Sequence, residues 1–203
     1  MESLRQSILA DSTRPSPFRP PRDVIEGRLD LHHAQIGHID FRHVVFRSFA
    51  DFRHTHFCGL AWFDGAVFEA GADFSHAQFD RDARFDRARL AGETVFADSE
   101  FRGVADFDGA QFGALCNFDR AVFCANLSLG HAVFGDKVTF RGAQLHGGLW
   151  CRNAQFKALD AINIEISGRL FLDGSTARAI NDPAQFFSGL KIIDPGAASL
   201  HSD

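Results

Sequence analysis

An alternation of apolar and polar positions runs through the middle of the chain as ten consecutive eleven-residue units, from Ala50 to Leu159. The third and the eighth position of the unit are each Phe in eight of the ten units, and the first and sixth positions are small or aliphatic. None of these forty positions carries a charge, although 23% of the chain is charged. The pattern therefore predicts a buried set of side chains that recurs along a repeat protein.

An eleven-residue period also fits three turns of a helix, so the helical alternative has to be weighed first. On a helix, the third and sixth positions would lie on the opposite side from the first and eighth. In extended strands the first and third positions share one side, as do the sixth and eighth. Glycine recurs in the expected turns, where a positive φ costs it little; these residues are Gly65, Gly71, Gly103, Gly109, Gly142 and Gly147. The sequence thus predicts an all-β solenoid with two short strands in each unit.

The spacing between successive Phe residues alternates between five and six, as in Phe52, Phe57, Phe63 and Phe68. Each stretch carries a small residue, a variable residue, a central Phe or Leu, and turn residues. Over residues 29–177 this pattern resembles the pentapeptide-repeat family, whose members fold as a right-handed four-sided β-helix with one pentapeptide on each side. The resemblance implies a quadrilateral parallel β-helix of about six to seven coils. The extra residue in every second stretch implies a coil of 22 residues, two eleven-residue units.

A coil of this length predicts four columns of stacked core side chains, one on each face of the β-helix. The first column is Phe52, Phe74, Phe96, Phe118 and Phe140; the second is Phe57, Phe79, Phe101 and Phe123; the third is Phe63, Phe85 and Phe107; the fourth is Phe46, Phe68, Leu90, Phe112, Phe134 and Phe156. Each buried Phe contributes about 1.5–3 kcal/mol. The columns are therefore expected to supply most of the stabilisation.

The pattern divides the chain into an N-terminal segment, residues 1–28, the β-helix, residues 29–177, and a C-terminal segment, residues 178–203. The N-terminal segment is expected to form a short helix, SLRQSIL, and a mobile Pro-rich arm. After Phe156 the expected inward positions are Ala161, Ile166, Leu172 and Ala177. The alternative register, with Ile162 central, is disfavoured because it would bury Asp160.

The last coil of a solenoid exposes apolar surface and unpaired backbone, so it needs a cap or a partner. The apolar residues available in the C-terminal segment are Phe186, Phe187, Leu190, Ile192 and Ile193. Two interpretations stay open for them, a folded-back cap and a two-fold interface in a homodimer. The family resemblance makes the second plausible, since members of this size often dimerise through a C-terminal module.

The composition of the chain indicates the cellular compartment in which the protein works. The chain has 23 Phe and no Tyr, which suits a dry interior without partners for hydroxyl groups. No apolar run approaches the roughly 20 residues that span a bilayer, and no secretory signal is visible. Among the four cysteines there is no CxxC pair; Cys116 and Cys151 are expected to point inward, and Cys58 and Cys124 outward. These features favour a cytoplasmic protein without disulfides or membrane contact.

The sequence contains no recognisable catalytic motif: no GxSxG, Walker-type loop or HExxH occurs. It therefore predicts no enzyme, no cofactor and no metal site. His54 and His76 are expected to stack at one corner, with His56 nearby. Surface turn residues are their ordinary interpretation, and a metal ion bound there would be the one sign of an enzyme.

The acidic excess is confined to the middle of the rod: residues 51–120 hold 13 Asp plus Glu against 7 Arg, a net charge of −6. Acidic residues follow the central Phe of the third face at intervals of one coil, and Arg84 and Arg87 can offset them. The candidate partner-binding residues are Asp64, Asp86, Asp106 and Asp108. This ladder is either a solvated, solubilising face or a stripe that binds a partner.

The sequence predicts a non-catalytic rod that binds another protein. A more specific alternative comes from the family resemblance, because some pentapeptide-repeat proteins mimic duplex DNA and protect DNA gyrase, a type II topoisomerase, from its poisons. B-DNA would carry about nine charges over the roughly 15 Å that 70 residues span, more than the net −6 found here. Direct nucleic-acid binding is not expected, since the chain has no basic stripe.

Overall fold

The computed structural model describes residues 2–11, 16–189 and 191–192. One α-helix, Glu2–Asp11, precedes a long series of short strands. All paired strands run parallel and coil into a β-solenoid of about seven turns, with four flat faces around one core. The predicted fold class is confirmed. Within the described residues, no helix has the length and apolar character needed to cross a membrane.

Two adjacent faces carry seven strands each. The second face consists of Gln35–Ile36, His56–Phe57, Gln78–Phe79, Glu100–Phe101, Val122–Phe123, Gln144–Leu145 and Glu165–Ile166. The third face consists of Ile39–Asp40, Ala61–Trp62, Ala83–Arg84, Ala105–Asp106, Leu127–Ser128, Gly148–Trp150 and Arg169–Phe171.

The first and fourth faces are joined where two longer strands, Val133–Thr139 and Gln155–Asp160, run across the corner between them. The first face adds Leu29–Asp30, Ala50–Asp51, Ala72–Asp73, Thr94–Val95, Cys116–Asn117 and Ile180–Asn181. The fourth face adds Val24–Ile25, Val45–Phe46, Val67–Phe68, Arg89–Leu90, Gln111–Phe112, Thr176–Ala177 and Lys191–Ile192. Parallel pairing therefore extends past both ends of the range 29–177.

The strand register confirms the predicted coil of 22 residues in the middle of the rod, where Ala72 lies opposite Ala50 on one side and Thr94 on the other. Towards the ends the coil shortens to 21 residues, as where Leu29 lies opposite Ala50 and Val138 opposite Leu159. One of the two extra residues per coil is thus lost near each end.

Rings one coil apart stack with nearly parallel planes. The ring centroids of Phe52 and Phe74 lie 4.6 Å apart with planes 5° from parallel, and Phe85 and Phe107 lie 4.9 Å apart at 9°. Neighbouring columns meet edge to face, as for Phe63 and Phe74 at 5.6 Å and 86°. All the Phe residues assigned to the four columns are at most 3% exposed. Both geometries are the ones aromatic pairs prefer.

A left-handed residue turns the chain at two of the four corners. The fifth position of every unit has a positive φ; His, Arg, Asp or Asn occupies it in seven of the ten units and Gly in three. Gly103 and Gly147 do not share this conformation, contrary to the sequence-based expectation. Glycine is needed at position 103 because the backbone of the preceding coil lies very close. A Cβ atom on Gly103 would lie 2.5 Å from the Arg81 carbonyl carbon.

Both ends of the solenoid carry covering elements. Ile8 of the helix is fully buried, and Phe18 pairs with Ile39, donating its backbone N–H to His38 O at 2.9 Å. The described Pro-rich residues therefore pack on the first coil; the expected mobile arm is wrong for them because Phe18 (7% exposed) gains both burial and a backbone bridge.

At the C-terminal end, Phe187 is buried and Phe186 is 36% exposed, and Lys191–Ile192 pairs with Thr176–Ala177. This parallel pairing adds one more strand to the fourth face. Leu190 and Ile193 lie outside the described residues, and both the cap and dimerisation through this segment stay predictions.

The expected register after Phe156 is confirmed, with Ala161 opposite the inward Phe140 column. The reason given for preferring it was wrong, however, because Asp160 is buried in this register as well. Its carboxylate faces outward and is covered by Lys137 Nζ at 2.7 Å and Arg141 Nε at 2.9 Å. Ion pairing makes the burial of this charge tolerable.

Replacing Phe107 with Asp should abolish cooperative unfolding or cost more than about 4 kcal/mol, because a carboxylate would be placed between stacked rings. Circular dichroism melting measures this. Gln111→Asp is the matched control: Gln111 is exposed beside Arg89, so the same new charge should leave the melting temperature nearly unchanged. Normal melting of the Phe107 variant would contradict the inward assignment.

Candidate interaction surface on the third face

Two residues of each coil point outward on the third face, one on either side of the central core residue. From the N-terminal end the pairs are Asp40 and Arg42, Trp62 and Asp64, Arg84 and Asp86, Asp106 and Asp108, Ser128 and Gly130, Trp150 and Arg152, and Phe171 and Asp173. This outer strip contains the predicted acidic ladder. It also contains outward aromatic residues, which are unusual at positions that other coils fill with Asp, Arg or Ser.

Asp64 and Asp86 lie side by side in the wall of the rod, at 7% and 9% exposure. Arg84 Nε lies 3.7 Å from Asp64 and 3.9 Å from Asp86, and Arg87 contacts Asp86 at 2.5 Å. One oxygen of each carboxyl group is buried without a hydrogen-bond partner in the described part of the chain. Burial, together with the neighbouring Asp86 carboxyl, raises the pKa of Asp64 to about 6.

The acidic ladder is therefore uneven. The interpretation of Asp64 and Asp86 as a solvated face is wrong, because the neighbouring coils and arginines cover them. Asp106 is half-buried, and desolvation raises the pKa of its carboxyl group as well. Asp108 is exposed. Of the four candidate acids, only Asp106 and Asp108 are accessible at the surface.

A groove opens beyond Asp108, where the outward residues of the next coil, Ser128 and Gly130, are small. We call this concavity of about 310 Å³ the Trp150 groove; its lining residues are Asp108, Ser128, Gly130, His131, Trp150, Arg152 and Phe171. The Trp150 side chain is 47% exposed, and its ring lies 4.8 Å from that of Phe171.

Hydrogen bonds hold the acidic edge of the Trp150 groove in place. Asp108 Oδ1 accepts from the backbone N–H of Gly130 at 2.8 Å and from the hydroxyl of Ser128. A Cβ atom at Gly130 would lie 3.0 Å from Asp108 Oδ1, so glycine lets the carboxylate approach the backbone. The groove thus combines an aromatic wall with a fixed carboxylate.

Trp150 and Phe171 were not among the functional candidates predicted from the sequence. The available signal was the second position of their repeat, which points outward; an aromatic side chain there cannot belong to the core. Trp62 occupies the same kind of position four coils earlier, where the guanidinium of Arg42 lies 4.7 Å from its ring centroid.

Arginines compensate much of the acidic excess of the middle coils. Arg53 pairs with Asp51 at 2.7 Å, and Arg102 with Asp80 at 2.8 Å. The Arg53 guanidinium holds the pKa of Asp51 down at about 2, against the effect of burial. The net field at the surface is therefore weaker than the count of acids suggests.

His54 and His76 stack at one corner as predicted, with ring centroids 4.6 Å apart and planes 2° from parallel. His33 extends the stack at 4.5 Å. Burial and the two neighbouring histidines lower the pKa of His54. Parallel rings present their nitrogens side by side rather than towards one point, so this stack is poorly suited to hold a metal ion.

Comparison with known proteins agrees with the architecture. A family model described as pentapeptide repeats in nine copies matches residues 31–78 and 74–122. Among solved structures, one that matches is HetL, a pentapeptide repeat protein involved in heterocyst differentiation regulation from the cyanobacterium Nostoc sp. Strain PCC 7120. It is 15% identical, the match covers 74% of this chain and 90% of that chain, and the TM-score is 0.20. None of the curated proteins compared with the chain matches it.

Replacing Asp64 with Asn should stabilise the protein at neutral pH. The folded state keeps the proton of Asp64 up to about pH 6, whereas an unfolded Asp releases it near pH 4. The free energy of unfolding of the native protein should therefore fall between pH 4 and pH 6, by about 1–3 kcal/mol from this group.

Urea unfolding at several pH values measures the effect, and the Asn variant should lose that part of the pH dependence. Asp108→Asn, which removes an exposed charge from the same face, is the control. Parallel stability curves for the native protein and the Asp64 variant would contradict the assignment.

Proposed function

Because this chain belongs to the pentapeptide-repeat family, we propose that it is a non-catalytic binding protein whose third face docks a protein partner at the Trp150 groove. The observation that carries the proposal is the exposed ring of Trp150, packed against the half-buried Phe171 and beside the fixed carboxylate of Asp108. Ring columns fill the interior of the rod. Any ligand therefore has to bind on the outside.

The groove has the composition of an interface centre. Tryptophan and arginine are the residues that most often dominate binding energy at protein interfaces, and here Trp150 and Arg152 stand together. The small side chain of Ser128, opposite Trp150, and the absence of one at Gly130 leave room in the groove for a side chain of the partner. The fitting partner segment presents an apolar or aromatic side chain to Trp150 and a hydrogen-bond donor to Asp108.

The solenoid suits such a role because its binding residues stand on a rigid support. Strands on the third face are bonded to both neighbouring coils, as where Phe107 N–H donates to Ser128 O at 2.9 Å and Leu129 N–H to Trp150 O at 2.6 Å. Little conformational entropy remains to be lost on binding, which favours affinity from a small surface.

Mimicry of duplex DNA towards gyrase is the competing function, and it has weaker support. Such mimicry needs a dense row of uncompensated charges. On the middle coils, Arg84 lies between Asp64 and Asp86, and Arg120 contacts Asp98 at 2.6 Å. These pairs leave Asp106 and Asp108 as the main uncompensated acidic residues on the third face.

Trp150→Ala should weaken partner binding at least tenfold, or about 1.4 kcal/mol. The partner is first enriched from extracts of the source organism on the immobilised full-length protein, identified, purified, and then titrated by calorimetry. Trp62→Ala is the matched control: it removes the same residue type from the same face, four coils away, and should retain the affinity. Equal binding by the native protein and the Trp150 variant would refute the proposal that the partner binds at the Trp150 groove.

A supercoiling assay with purified gyrase separates the two functions. We expect no inhibition at protein concentrations equal to the enzyme. Inhibition that persists in the Trp150 variant would favour DNA mimicry over the proposed docking.

A further inference from the structure

Two adjacent coils bring three chemically distinct ligand side chains together on the second face. His56 and Cys58 flank the inward Phe57, so both point outward from one strand and the turn that follows it. Asp80 follows Phe79 in the next coil, one full coil after Cys58, because Phe57 and Phe79 are paired. The cluster is thus a product of the 22-residue register and lies on a different face from the Trp150 groove.

The geometry of the cluster is compact. One ligand atom of each of the three residues lies within 4.8 Å of the other two, and all three residues are half-buried. His56 Nε2 is 2.8 Å from Asp80 Oδ2. The two elements that carry the ligands belong to a continuous parallel sheet, so their spacing is fixed by the backbone.

Outer contacts already orient two of the three ligands. Arg102 donates to Asp80 Oδ1 at 2.8 Å, which leaves Oδ2 directed at the imidazole of His56. Gln35 Nε2 donates to Cys58 Sγ at 3.2 Å from the preceding coil. Supporting hydrogen bonds of this kind fix ligand direction in metal sites.

We propose that His56, Cys58 and Asp80 bind one divalent transition-metal ion of borderline softness, such as Zn²⁺, with water as the fourth ligand. Nitrogen, thiolate and carboxylate are the three donor types that Zn²⁺ takes in proteins, at about 2.0–2.3 Å. Tetrahedral coordination at those lengths places ligand atoms about 3.3–3.7 Å apart. Side-chain rotation alone closes the cluster from its present 4.8 Å limit, with no movement of the strands.

The competing interpretation is an ordinary surface ion pair between His56 and Asp80, with an unrelated thiol beside it. The two differ in whether Cys58 takes part. A metal ion requires the thiolate as a ligand, whereas an ion pair is indifferent to it. The experiments therefore centre on Cys58, with Cys124 as an internal comparison, since Cys124 is an exposed thiol on the same face and Cys116 and Cys151 are fully buried.

Zn²⁺ affinity is measured on the full-length Cys124→Ser protein by competition with a chromophoric chelator. We expect one Zn²⁺ per chain, and at least a tenfold loss of affinity in each of His56→Gln, Cys58→Ser and Asp80→Asn. His76→Gln, at the neighbouring corner, is the matched control and should bind as the parent does. Equal affinity in the parent and the Cys58 or Asp80 variant would overturn the proposal.

A second measurement does not depend on any variant folding. Alkylation of the native protein is followed by mass spectrometry with and without Zn²⁺. Zn²⁺ should slow modification of Cys58 at least tenfold and leave the rate at Cys124 unchanged. Equal protection of both thiols, or of neither, would overturn the site.

Discussion

The spacing between coils is the constraint on which the whole structure depends. Parallel strands lie about 4.8 Å apart, and the Phe rings of one column lie 4.5–5.1 Å apart. The spacing of the backbone ladder therefore lies within the range of centroid separations that aromatic pairs prefer. Phe at the central inward positions satisfies both, which explains why the interior holds so many Phe residues.

This match between the backbone ladder and the ring columns leaves the outward residues free to vary. Since the inward positions are fixed by packing, the variable positions between them can change without disturbing the core. The third face uses this freedom for the Trp150 groove, and the second face uses it for the cluster of His56, Cys58 and Asp80. The two surfaces lie on different coils of the rod and share no residue.

Much of the fold was predictable from the sequence, because the inward pattern is periodic and each period adds the same information. The coil length, the four columns and the position of Ala161 follow from counting. The burial of Asp64 and Asp86 does not follow from counting, since it depends on how the neighbouring coils and arginines cover them. The groove at Trp150 was not predicted either, because it forms where Ser128 and Gly130 have no large side chains. The cluster at Cys58 could have been predicted by the same counting, because Asp80 lies one coil of 22 residues beyond Cys58.

The constant coil length also fixes the distances between outward residues along the rod. Trp62 and Trp150 occupy equivalent places four coils apart, and every outward residue between them sits at a multiple of one strand spacing. Inserting or deleting a complete coil would change the distance between the second-face cluster and the Trp150 groove by about 4.8 Å, with each surface left whole. In such a chain, the length of the rod can change in evolution independently of the surfaces that bind ligands.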